Sequence, residues 1–138
     1  MIDIPMESIV QRLNDTGVFR EVIHALTFSL PKSYPSAYVF ILREKADDNI
    51  LLGTHSQRIT GEVSIEIMDK HLKNADLGEG AGINIRSLRI KVMEAMLGWS
   101  MTNDFSPFNF SGGDLVSYSN GFVVWRDQYT TSFYRNKV

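Results

Sequence analysis

The dipeptide Asn120-Gly121, set between SGGDLVSYS and FVVWRDQYTTSFYR, constrains this chain more than any other feature. A two-residue type I′ turn needs positive φ at both central positions, which Asn and Gly tolerate, and its twist matches that of paired strands. The flanking arms alternate in polarity, so residues 111–135 read as a β-hairpin with a short first arm and a long second one. The long arm carries Trp125, Tyr129, Phe133 and Tyr134. Trp125, Tyr129 and Phe133 are expected to pack under a helix as a core strand. Because the second arm outruns the first, it is also expected to leave strand edge open to another chain.

The remaining elements follow from periodicity. Ile2, Met6, Ile9 and Leu13 recur at helical spacing, which predicts a helix over 4–14 with Asp3 as N-cap and Pro5 in the first turn. VFREVIHALTFSL (18–30) alternates and is rich in β-branched and aromatic residues, which favours a strand. SAYVFILR (36–43) is a continuous apolar run and predicts a strand covered on both faces. EKADDNILLGTHSQ (44–57) has no clear period and reads as an exposed loop. Over 58–70, Val63, Ile65 and Ile67 alternate with Glu62, Ser64, Glu66 and Met68, which predicts an antiparallel strand with one wet face. A second loop at 70–82 leads into the main helix, 83–99.

That helix carries two apolar stripes. Ile85, Leu88, Val92, Ala95, Met96 and Trp99 form the broad one; Ile90, Met93 and Leu97 form another about 120° away, leaving Ser87, Lys91 and Glu94 as a narrow polar strip. A helix apolar on two sides needs a second cover, from its own chain or from a neighbouring subunit. The expected order is α-β-β-β-α-β-β: an α+β fold, with a mainly antiparallel sheet packed by two helices, in one domain spanning 1–138.

Composition narrows the function classes. The 138 residues are 43% hydrophobic and 22% charged, with a net charge of −2, so no global pull toward nucleic acid or membrane is expected. There is no cysteine, which removes disulfides, thiolate metal sites and cysteine nucleophiles. MIDIPMESIV does not have the basic-then-apolar order of a signal peptide, and no apolar run reaches the length of a membrane span; a soluble, unexported protein is expected.

Candidate chemistry is sparse. Gly78-x-Gly80-x-Gly82 precedes a helix near Arg86, but it lacks the spacing and the Lys-Ser/Thr of a phosphate loop. His71 lies near Asp69, Asp76 and Glu79 with no metal-ligand spacing; His55 is a loop residue, and His24, among apolar neighbours, reads as a structural histidine. Ser111 is not in a nucleophile elbow, and nothing in the sequence brings Asp104 and Asp114 together. The aromatic arm offers only Arg126 and Arg135, with Asp127 between, too little interleaved charge for a base-stacking platform. The expectation is a non-enzyme without cofactor or metal.

The C-terminal third carries an ordered series: Leu97-Gly98-Trp99, Pro107, Phe110, Gly112-Gly113, Leu115, then Trp125, Asp127, Tyr129 and Thr131. It resembles the tail terminator proteins of long-tailed phages and prophages, in which a helix ends near L-x-GW. A Pro-containing loop then leads to an aromatic and x-G-G-x-L, and a W/F-x-D-x-F/Y-x-T strand follows. Where that family usually has proline soon after the tryptophan, this chain has Ser100-Met101-Thr102. The resemblance implies a structural role: a hexameric ring that caps the tail tube, ends its polymerisation and prepares head–tail joining, in the host cytoplasm and then in the virion tail. The implied partners are other copies of the chain, the tail tube protein and a head-completion or connector protein, with no membrane and with DNA only passing through. Within that frame Ile90, Met93 and Leu97 are the candidate subunit interface, and Lys70 and Lys73 the candidate lumen or tube-contact loop. A monomeric protein-binding module using an exposed β-edge is the alternative.

Overall fold

The computed structural model describes residues 2–24, 30–70 and 79–137, with backbone alone over 79–83. In chain order the elements are α1 (Met6–Asn14), β1 (Glu21–His24), β2 (Ser36–Ala46), β3 (His55–Lys70), α2 (Glu79–Met96), β4 (Asn109–Ser119) and β5 (Phe122–Lys137). The strands form one sheet in the order β1-β2-β3-β5-β4. All pairs are antiparallel except β1 with β2. This is the α+β order expected from the sequence.

The hairpin forms as its turn dictates: Asn120 has φ 51° and Gly121 φ 81°. The edge assignment is corrected. The long arm, β5, is an inner strand paired with β3 from Phe122 to Lys137, and the outer edge belongs to its shorter partner β4. Beyond Thr130, however, β5 has no β4 residue beside it.

Both helices lie on the sheet face that carries Val63, Ile65 and Ile67. Ile9 and Leu13 of α1, Val92 and Met96 of α2, and Tyr129 and Phe133 of β5 meet there in one buried cluster. Each fully buried side chain of this size contributes about 1.5–3 kcal/mol through loss of apolar surface. Pro5, not Asp3, occupies the N-cap of α1; the Asp3 carboxylate accepts from the Ile4 N–H one step earlier. α2 has no basic residue in its last turn, and α1 supplies one instead. Arg12 Nε donates to the Ala95 carbonyl at 2.9 Å, and its guanidinium lies 4.9 Å over the Trp99 ring.

Several boundaries move. Residues 44–46 extend β2 and residues 55–57 extend β3, so the expected loop shrinks to a tip at 47–54 on a projecting hairpin. Cross-strand pairing propagates through this unpatterned stretch because β5 runs alongside to Lys137. α2 starts at Glu79, inside the expected second loop, and ends at Met96, where Gly98 at φ 74° turns the chain back. Of the strand expected over 18–30, 21–24 is observed as β1 and 25–29 lie outside the described residues. His24 is exposed, not enclosed among apolar neighbours.

The second sheet face also departs from expectation. Ser64, Glu66 and Met68 are buried, because Tyr38, Met68 and Val124 form a small cluster there with Ile23, Tyr34, Phe40 and Phe122 beside it. Arg126 closes over Glu66 with a 2.7 Å ion pair. Aromatic residues of β2 thus cover a face that alternation alone would leave wet.

Candidate functional site

Gly113, Trp125 and Tyr129 of the C-terminal series gather around one buried carboxylate. Asp127, on β5, has no exposed surface. Its Oδ2 accepts from Arg89 Nε at 2.9 Å, and its Oδ1 from Arg89 Nη2 at 3.0 Å and from Trp125 Nε1 at 2.9 Å. The Arg89 guanidinium also lies 4.3 Å over the Trp125 ring, so one side chain of α2 grips two of β5. Gly113 explains the need for a second glycine: a Cβ there would meet Trp125 Nε1 at 3.1 Å and Arg126 O at 3.3 Å, and Asp127 Oδ1 closer still. Gly98 and Trp99 tie the end of the helix to the segment just before β4. Trp99 stacks on Phe108 at 5.8 Å, and Gly98 N–H donates to the Phe108 carbonyl, whose own N–H reaches Trp99 O. Arg89 is the residue that sequence reasoning missed; it stands four residues after Ile85 and three before Val92, at the edge of the broad apolar stripe, and that position is the signal that could have found it.

This clamp is architectural, since Asp127 is closed off from solvent. Tyr129 lies beside it, its hydroxyl buried without a hydrogen-bond partner among the described residues. Burial, reinforced by the Asp127 charge, pushes the Tyr129 hydroxyl well above its ordinary range. Asp104 lies in the loop before β4 whereas Asp114 faces Arg126 on β4, so no carboxylate pair forms. No group of acids and histidines able to hold a metal occurs among the described residues. Gly80 and Gly82 lie within α2 rather than in a phosphate-binding turn.

The surfaces are more informative. Ile90 on α2 is 49% exposed and Leu97, just past its end, 47%, while Met93 between them is half-buried against the core. The stripe borders β4, because Leu97 bridges to Phe108 just before that strand begins. β4 is an outer strand of 11 residues with Asp114 as its one charge. Phe110, Leu115, Val116 and Tyr118 are exposed on it. Bulges near Ser111 and Val116 interrupt its pairing with β5. Lys70 stands exposed at the end of β3, beside the hairpin turn through its pairing with Phe122. Lys73 lies outside the described residues, as does His71.

Among the described residues no helix is long and apolar enough to cross a membrane. The comparison with curated proteins gives no match. Among solved structures, a chain of the virion of a native gene transfer agent particle has a similar fold, with a TM-score of 0.60 at 10% identity, covering 95% of each chain. The family model described as phage tail terminator protein matches residues 1–137. The chain therefore belongs to the phage tail terminator family, a family of structural proteins of the phage tail.

Proposed function

We propose that this protein caps the phage tail tube as a hexameric ring, ends tube polymerisation and presents its other face for head–tail joining. The observation that supports this reading best is the apolar stripe on α2. Ile90 and Leu97 stay half-open in the single chain, beside an outer strand that carries four further exposed apolar side chains. Isolated exposed leucines are ordinary, but a helix stripe beside a strand edge with a single charge is the pattern of a subunit contact. A ring requires a heterologous contact whose rotation closes, whereas tube stacking repeats without limit. Termination follows if one face of the ring matches the tube subunit and the other does not.

In this reading the partners are further copies of the chain, the tail tube protein and a head-completion or connector protein. The ring assembles in the host cytoplasm and stays in the virion tail, with DNA passing through it. Lys70, with Lys73, faces the lumen or the tube. Lys70→Glu combined with Lys73→Glu is expected to impair tail joining, and normal infectivity of that variant would remove the assignment.

The ring is tested by light scattering coupled to size exclusion over a concentration series, with and without tube protein. A six-subunit species is expected, and Ile90→Asp with Leu97→Asp should abolish it while leaving the monomer's melting temperature unchanged. A chain that stays monomeric even with tube present would favour the second reading, a monomeric module that adds a partner's strand to the open edge of β4.

A further inference from the structure

Asn120 is the one asparagine in the chain that is followed by glycine. In such a pair the Gly121 backbone nitrogen can attack the Asn120 Cγ carbon, because no side chain on the next residue hinders the approach. The bond from Cγ to the side-chain nitrogen breaks, ammonia leaves, and a five-membered succinimide remains. Water then opens either carbonyl of the ring. One product is aspartate; the other is isoaspartate, whose main chain runs through Cγ and is one carbon longer.

The hairpin holds the two reacting atoms apart. Asn120 at φ 51° and Gly121 at φ 81° are the central pair of a type I′ turn, in which ψ of the first residue is about 30°. With that ψ the Gly121 nitrogen lies roughly 150° from Cβ about the Cα–C bond. Ring closure needs the nitrogen and Cβ on the same side, so the turn must be undone before the bond can form. Asn120 is exposed, whereas Gly121 is buried, which also keeps solvent base from its N–H. Neither the Asn120 amide nor the Gly121 N–H has a hydrogen-bond partner among the described residues, so turn geometry and burial are what hold the reaction back.

The two products differ in what they leave of the turn. Asp-Gly suits a type I′ turn as Asn-Gly does. Isoaspartate puts an extra main-chain carbon into a two-residue loop whose length fixes the strand register. β4 pairs with β5 alone, so a copy that cannot close this turn loses the register of its outer strand.

We infer that the β4–β5 turn shields Asn120 from cyclisation, and that isoaspartate formed there in an opened copy prevents the hairpin from closing again. Residue 120 is thus a modification site whose reactivity follows the state of the hairpin. The outer surface used in the ring reading lies on β4, so exclusion of converted copies from a ring, and that consequence alone, rests on the reading above.

The full chain is held at mildly alkaline pH, folded and in guanidinium chloride, and each sample is mapped by proteolysis and mass spectrometry. In denaturant, Asn120 should convert ahead of the other asparagines. In the folded chain its loss should be slower by about 10-fold or more, since the hairpin must open first. Equal rates in the two states overturn the shielding. Isoaspartyl chains are then separated from the denatured sample and refolded beside unmodified chains and the Asn120→Asp variant. Asn120→Asp should regain the parent's circular dichroism and tryptophan fluorescence, and the isoaspartyl chains should not. Isoaspartyl chains that refold like the parent, or an Asn120→Asp variant that fails as they do, overturn the block on closure. Both readouts come from single chains and are independent of ring formation.

Discussion

Removing the two halves of the Arg89–Asp127 pair should have unequal effects, because the two groups are unequally buried. Asp127 has no exposed surface, while the Arg89 side chain keeps 25%. In Arg89→Met the carboxylate stays inside with only the Trp125 N–H to face it, and a buried charge left without its partner destabilises by about 3–5 kcal/mol. In Asp127→Asn the amide oxygen still accepts from Trp125, and the guanidinium can turn toward water. The loss then is that of charge-assisted hydrogen bonds, about 1.5–3 kcal/mol. For a domain of this length the first change corresponds to a fall in Tm of roughly 10–17 °C. Urea unfolding followed by both tryptophan fluorescence and circular dichroism measures the difference directly. Arg89→Met combined with Asp127→Leu should recover much of the loss, since no unpaired charge remains. If Arg89→Met proves no worse than Asp127→Asn, isolation of the carboxylate is not what the clamp prevents, and the reasoning fails.

Tyr129→Phe removes a buried hydroxyl that has no partner, so it should be neutral or stabilising by up to about 1–3 kcal/mol at neutral pH. The same hydroxyl holds its proton more tightly in the fold than its ordinary value of 10.0. Its contribution to stability is therefore complete below pH 10 and falls as pH rises toward the folded-state value. Tyr129→Phe should lose less stability than the parent in alkaline titration, and parallel curves would contradict this. Gly113→Ala forces a methyl group against Asp127, Trp125 and the Arg126 carbonyl, and should destabilise by about 1–3 kcal/mol in the same urea assay. Arg12→Met keeps the stem packed but removes the donor to Ala95 O, and should lower stability by about 1 kcal/mol, with faster amide exchange at the end of α2.

What the sequence reveals of the fold is what local chemistry decides. Asn120-Gly121, the Ile9–Leu13 spacing and the Val63, Ile65, Ile67 alternation each specify their own element, and all three are found. Of the second stripe, Ile90 and, past the end of α2, Leu97 are exposed, whereas Met93 is drawn into the core. Long-range neighbours were not legible. Residues 44–46 have no strand pattern and become strand because β3 and β5 continue past them. The edge was assigned to β5 because the length of its arm is visible in sequence, whereas β3 on its far side is not. Ser64 and Glu66 read as solvent-facing because nothing local announces that Tyr38, Phe40 and Arg126 will close over them. Arg89 shares the helical spacing of Ile85, Val92 and Met96, but the charge it meets is invisible until Asp127 is placed beneath it.

The position of β5 has a consequence for biogenesis. It follows the other four strands in the chain, yet it lies between β3 and β4 and carries the Asp127 that anchors α2. While a ribosome is still making it, β3 lacks one neighbour, β4 lacks its only one, and Arg89 has nothing to grip. β3 and β4 therefore stay incompletely paired, and α2 unanchored, until this strand emerges and zips into the gap. Until β5 emerges, no unfinished copy carries the finished sheet.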